Sequence, residues 1–162
     1  MANAHSPIRK TDDAARALAQ SLIANARFGA LGVIDPETGF PAVSRIALGA
    51  GPEGGLFSLV SGLAAHSRAL RERPHAGVMI GEPGPKGDPL THPRLSLQIE
   101  AAPITRNHPA YEALRARWLS DHPKSKLYID LPDFYFLRLD VLMGLLNGGF
   151  AQAYRLTKED LI

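Results

Sequence analysis

The chain has 162 residues, 45% hydrophobic and 21% charged, and no cysteine. That is the composition of one globular domain, and it excludes disulfide frameworks, thiolate metal sites and cysteine nucleophiles. Eighteen basic against 16 acidic residues give a net charge of +2, too small an excess for a polyanion binder, so no nucleic-acid partner is expected. Arginine outnumbers lysine 13 to 5, and its fork of donors suits phosphate and carboxylate. The N-terminal stretch has no apolar signal core, and no later run approaches about 18 uninterrupted apolar residues, so a cytoplasmic protein without a membrane partner is expected.

In chain order, a polar tail over 1–11 leads to Asp12 and Asp13. Behind them AARALAQSLIANA repeats Ala15, Leu18, Leu22 and Ile23 at helical spacing. FGALGVI (28–34), the turn DPETG (35–39) and FPAVSRIALG (40–49) read as a hairpin. GAGPEGG (49–55) is a turn before a short strand, LFSLV (56–60). Ser61 is expected to cap a helix, LAAHSRALRER, that Pro74 stops, and HAGVMIGE (75–82) returns to strand. PGPKGDPLTHP (83–93) is too rich in Pro and Gly for regular structure and is expected to be a mobile loop. RLSLQIEAAPI (94–104) alternates Leu95, Leu97, Ile99 and Ala101 along a long strand. A third helix is expected in HPAYEALRARWLSDHP, with Pro109 in its first turn and Tyr111, Leu114, Trp118 and Leu119 on its apolar face. DFYFLRLDVLM (133–143) and GLLNGGFAQAYRL (144–156) read as two last strands. Strands so close in sequence leave no room for crossover helices, so an antiparallel barrel with helices over its openings is expected, not a doubly wound parallel sheet.

Candidate chemistry concentrates in SGLAAHSRALRERP (61–74). A helix start offers free N–H groups and a dipole that favour an anion, and His66, Ser67 and Arg68 add donors suited to phosphate. The plainer reading is a Ser61-capped surface helix whose Arg71 and Arg73 complement the C-terminal dipole. In PAVSRIALG, Ser44 and Arg45 face opposite ways, so Arg45 is a rim residue, a solvent-facing one, or one that reaches another subunit. Arg94 opens a strand with Ser96, Gln98 and Glu100 on its face, as in any half-wet strand. The histidine spacings match no metal site, and no Gly-x-Ser-x-Gly elbow is present.

Taken in order, ARFGALGVIDPETGFPAVSRIAL, LVSGLAAHSRALRERPHAGVMI, DPLTHPRLSLQIEA, LYIDLPDFYFLRL and NGGFAQAY resemble the pyridoxamine 5′-phosphate oxidase-like FMN-binding split barrels, most closely the HugZ-like haem-utilisation branch. The resemblance implies an α+β fold: a six-stranded antiparallel split barrel with flanking helices over 12–156, between a flexible 1–11 tail and a 157–162 tail. It implies a homodimer with FMN at the subunit interface. Ser44 would face the flavin with Arg45 beside it, and Ser61 would stand at the strand-to-helix junction. His66, Ser67 and Arg68 match the triplet that holds the flavin phosphate, and Arg94 matches the strand start that approaches the flavin from the facing strand. True pyridoxamine phosphate oxidases resemble one another in an Arg and a Lys where this chain has Ser44 and Gly49, which speaks against vitamin B6 oxidation. The implied activity is an FMN-dependent oxidoreductase. The alternatives are a haem-binding or haem-degrading protein and a non-catalytic flavin or haem carrier or sensor. Haem would need an axial ligand or a basic clamp, for which His92 and nearby arginines are the nearest candidates.

Overall fold

The computed structural model describes residues 8–162. Its strands are β1 (Ile8–Arg9), β2 (Phe28–Ile34), β3 (Pro41–Ala47), β4 (Gly49–Ala50), β5 (Leu56–Ser61), β6 (His75–Ile80), β7 (Arg94–Ile104), β8 (Phe134–Asn147) and β9 (Ala153–Thr157). The helices are α1 (Asp13–Asn25), α2 (Ala65–Glu72) and α3 (Tyr111–Asp121). Asp12 caps α1 by accepting the Ala15 N–H at 2.8 Å, as its acidic start predicts.

The sheet runs β1-β9-β8-β7-β6-β2-β3, with β5 branching from β8 and β4 from β5. Every pairing is antiparallel except β1 with β9. The mixed α+β class and the antiparallel hairpins agree with expectation. Pairing yields nine strands where the resemblance implies six, because β1 and β4 are two-residue segments and β9 extends one edge. Residues 8 and 9, expected in the tail, pair with Ala153 and Tyr154.

β8 organises the sheet. One of its edges pairs with β7 along nearly its whole length, while the other serves β5 through residues 134–139 and β9 through 143–147. By sequence alone the segment is expected to divide after Met143. The chain instead continues through Gly144, where any larger side chain would press on Leu95 and Leu161 at 3.1 and 3.2 Å, and breaks at Gly148-Gly149. A register shift opposite Gln98 and Ile99 leaves Leu142 as the extra residue of a bulge. At the other margin the Ser58 hydroxyl, buried, donates to the Ala47 carbonyl at 2.7 Å and ties β5 to β3.

Alternation along β8 sends side chains into two cores. Leu137, Leu139 and Leu146 enter the main core with Leu31, Val78, Leu95 and Leu97, beneath α1 and α2. Phe136 enters a second core with Tyr111, Leu114, Trp118 and Ile129, under α3. Pro109 lies before α3 and not in its first turn, since His108 to Ala110 form a separate turn that Ala110 closes as the N-cap. Trp118, 1% exposed, stacks on His122 at 4.3 Å, meets Phe136 edge-on and donates to Ser125 at 3.1 Å. Replacing it with alanine should cost about 3–5 kcal/mol in urea unfolding, from lost burial and the cavity left behind; a cost below about 1 kcal/mol would show that the second core carries little of the stability.

Candidate anion site at the start of the second helix

α2 is amphipathic, with Ser67, Ala69 and Leu70 buried. Ser61 does not cap it. The cap position is Ala64, which makes no side-chain capping bond, and the turn Ser61 to Ala64 stands between strand and helix. Ser61 ends β5, donates to Asp133 Oδ2 at 2.5 Å and accepts the Leu63 N–H at 3.2 Å. The reason is register: Ser61 lies opposite Phe134, which brings Asp133 to its hydroxyl across 72 residues of chain. Ser67 is fully buried and donates to the Ser61 carbonyl at 2.7 Å, which clamps the helix to the strand end.

The Ser44 hydroxyl lies 3.1 Å from His66 Nδ1. The other ring nitrogen, Nε2, is buried and has no hydrogen-bond partner. Burial lowers the pKa of His66 below its ordinary value of 6.5, so the ring is neutral at pH 7. Ser67 and Arg68 both turn their N–H groups to the Ala64 carbonyl, leaving those of Ala65 and His66 outside the helical ladder. Two adjoining hollows share Asp35 and Ala65. One, of about 140 Å³, is bounded by Ser44 and His66; the other, of about 160 Å³, by Glu37, Arg68 and Glu72.

Arg68 is exposed and pairs with Glu37 of the β2–β3 turn at 3.2 Å. The carboxylates of Asp35, Glu37 and Glu72 therefore edge the same hollow, and an incoming anion would compete with Glu37 for the guanidinium. Nothing in the sequence points to Glu37, whose position in a surface turn gives no signal until the hairpin folds back over α2. His66 and Arg68, two residues apart on a helix, do not face each other; each instead meets a different part of the β2–β3 hairpin.

The remaining candidates lie on the other face of the sheet. Leu31 and Ser44 are cross-strand partners on the core side, whereas Arg45 is exposed and packs over the Phe28 ring at 5.5 Å. Arg94 shares its side of β7 with Ser96 and Gln98, and its guanidinium donates to the Leu90 carbonyl at 2.8 Å. One chain thus gathers Ser44, Ser61, His66, Ser67 and Arg68, but not Arg45 and Arg94.

The 83–93 segment is more ordered than its composition suggests. Asp88 caps a short 3-10 turn, Pro89–Thr91. His92 pins the loop, with Nδ1 accepting the Gly84 N–H at 3.1 Å and Nε2 2.9 Å from the Lys86 carbonyl. Both ring nitrogens are engaged, which removes His92 as an axial ligand in this conformation. Among the described residues no group of three His, Asp or Glu is placed to hold a metal, and no helix is long and apolar enough to cross a membrane.

No protein-family model matches the chain. Its fold is that of solved split-barrel-like proteins. One solved chain is 50% identical with a TM-score of 0.86, and the match covers 94% of this chain and 98% of that one. The heme binding protein from Mycobacterium smegmatis is 28% identical with a TM-score of 0.81, over 93% of this chain and 61% of that one. In sequence the chain is 25% identical over 116 residues to the chloroplastic non-canonical heme oxygenase HOZ of Arabidopsis thaliana, a match covering 72% of this chain and 34% of the plant protein. The chain therefore spans about a third of that relative's length.

Burial of a neutral His66 has a definite sign. As pH falls through 6.5 the unfolded chain takes up a proton that the folded ring resists, so this contribution is present above pH 6.5 and is lost below it. Wild type should lose more stability than His66→Gln between about pH 7.5 and about pH 5 in urea unfolding. Equal losses would contradict a neutral buried ring.

Proposed function

We propose that the protein binds FMN as a homodimer and works as a flavin-dependent oxidoreductase. The observation that carries this reading is the junction of Ser44 and His66 with the start of α2. There a buried ring nitrogen without a partner, two free backbone N–H groups and Arg68 surround small hollows able to take a phosphate. In this reading Arg68 exchanges Glu37 for the phosphate, His66 supplies a neutral directional contact, and Ser61 and Ser67 hold the helix start in place without touching the ligand. FMN, when bound, would supply the two-electron chemistry; the protein's part is binding, orientation and access.

The division of candidates between two sheet faces supports a dimer. The outer face is uncovered and partly apolar, with Val43 73% and Met79 46% exposed beside Gly32 and Gly77. Arg45 and Arg94 stand on that face and would complete the site of a second copy.

FMN fluorescence quenching tests this. Arg68→Ala should weaken binding roughly tenfold to a hundredfold, the worth of a charged hydrogen bond. Glu37→Gln should tighten it, because it removes the competing carboxylate. Absence of quenching by wild type, or a monomer by light scattering with FMN bound, would overturn the proposal.

A second reading, haem binding or turnover, is favoured by the similarity to the mycobacterial heme binding protein and the plant heme oxygenase, at 28% and 25% identity. A haem titration separates the two. A saturable Soret shift with no FMN quenching selects haem, and oxygen-dependent bleaching with biliverdin-like absorbance then marks an oxygenase and not a carrier. His92→Ala should leave any haem spectrum unchanged, since that ring is occupied by its own loop.

A further inference from the structure

A cavity of about 760 Å³ shares no residue with the α2 site. It lies where the two cores fail to meet: Leu56, Leu139 and Leu161 of the main core form one side, and Ile104 and Leu114 of the second core the other. It opens to the surface, where Pro52, Glu53, His108 and Ala113 are exposed, and its size is typical of small-ligand pockets, roughly 300–1,000 Å³.

The polar groups at its margin indicate what it takes. Arg138 closes on Asp140 through Nε at 2.8 Å and Nη2 at 2.9 Å, so that pair offers no charge to a ligand. Glu53 and Lys158 remain, one of each sign. The lining therefore selects for apolar surface and not for charge. His108 Nδ1 accepts the Ala110 N–H at 3.1 Å, which leaves Nε2 as a directional donor.

We propose that this cavity binds an uncharged, mostly apolar small molecule carrying one hydrogen-bond acceptor such as a carbonyl. The site is independent of the flavin or haem reading, because none of its lining residues belongs to the α2 site.

Nile red, a neutral dye with one carbonyl, is a suitable probe for the full chain. Wild type should give saturable, blue-shifted emission with one dye per chain. Ala113→Trp and Pro52→Trp place an indole at exposed positions on two different walls, and both should abolish the signal while circular dichroism stays native. Leu127→Lys, at an exposed apolar position outside the cavity, should keep it. No saturable binding by wild type would overturn the proposal. So would retained binding in a folded tryptophan variant, or loss in Leu127→Lys, which would move the dye to an exposed apolar surface outside the cavity. Exclusion of the dye as the chain associates would assign the cavity to contact with a second copy and equally overturn it.

Discussion

The hydrogen-bonding capacity of a single strand governs this molecule. β8 has only two edges, yet it serves three neighbours, because β5 and β9 share one edge end to end while β7 takes the other. The sharing requires fourteen consecutive extended residues. Alternation sends Phe136 into one core and Leu137 and Leu139 into the other, while Arg138 and Leu145 stay exposed. From that arrangement follow the position of α3 over the second core and the place of Asp133 at the end of β5.

Asp133 links this architecture to the candidate site. It holds Ser61, and its carbonyl accepts the Gly62 N–H at 2.7 Å. The Ser61 carbonyl in turn accepts from buried Ser67. Both hydroxyls are thus engaged within the chain, where they fix the start of α2. The groups left to meet an anion are fewer: the Ser44–His66 pair, the first free N–H groups and Arg68, and the last is held by Glu37. With Asp35, Glu37 and Glu72 around one guanidinium, acidic groups outnumber basic ones at this hollow, and in the proposed reading an anion would gain Arg68 only as the exposed Glu37 carboxylate gives way.

The face of the sheet away from the core gives the second constraint. Antiparallel sheets tolerate one wet face, but this one exposes Val43, Met79 and Leu145 beside small residues and two arginines that one chain cannot turn toward His66. In the proposed dimer a second copy would cover the apolar area and bring the two arginines to the site. The cavity between the two cores is a separate matter, since it arises where α3 and the carboxyl-terminal segment approach the barrel without filling the space between them.

Local features were legible from the residues. The acidic cap of α1, the β2–β3 hairpin and the full extent of β7 follow from capping, turn chemistry and period, all of which act within a few residues. The triplet His66, Ser67 and Arg68 was legible as donors at a helix start. Their separate roles were not, because a helix sends neighbours in different directions and only packing decides which direction is buried. The same limit explains the unbroken β8, where Gly144 looks like a break until Leu95 and Leu161 are seen to need its missing side chain. It also explains the loss of His92 to its own loop, the capture of Ser61 by Asp133 and the approach of Glu37 to Arg68. The sequence by itself determined the elements and the chemical inventory, since those rest on short-range geometry. The tertiary structure alone decided which donors remain free and which face they share, since hydrogen bonds between residues such as Ser61 and Asp133 exist only once distant strands are in register.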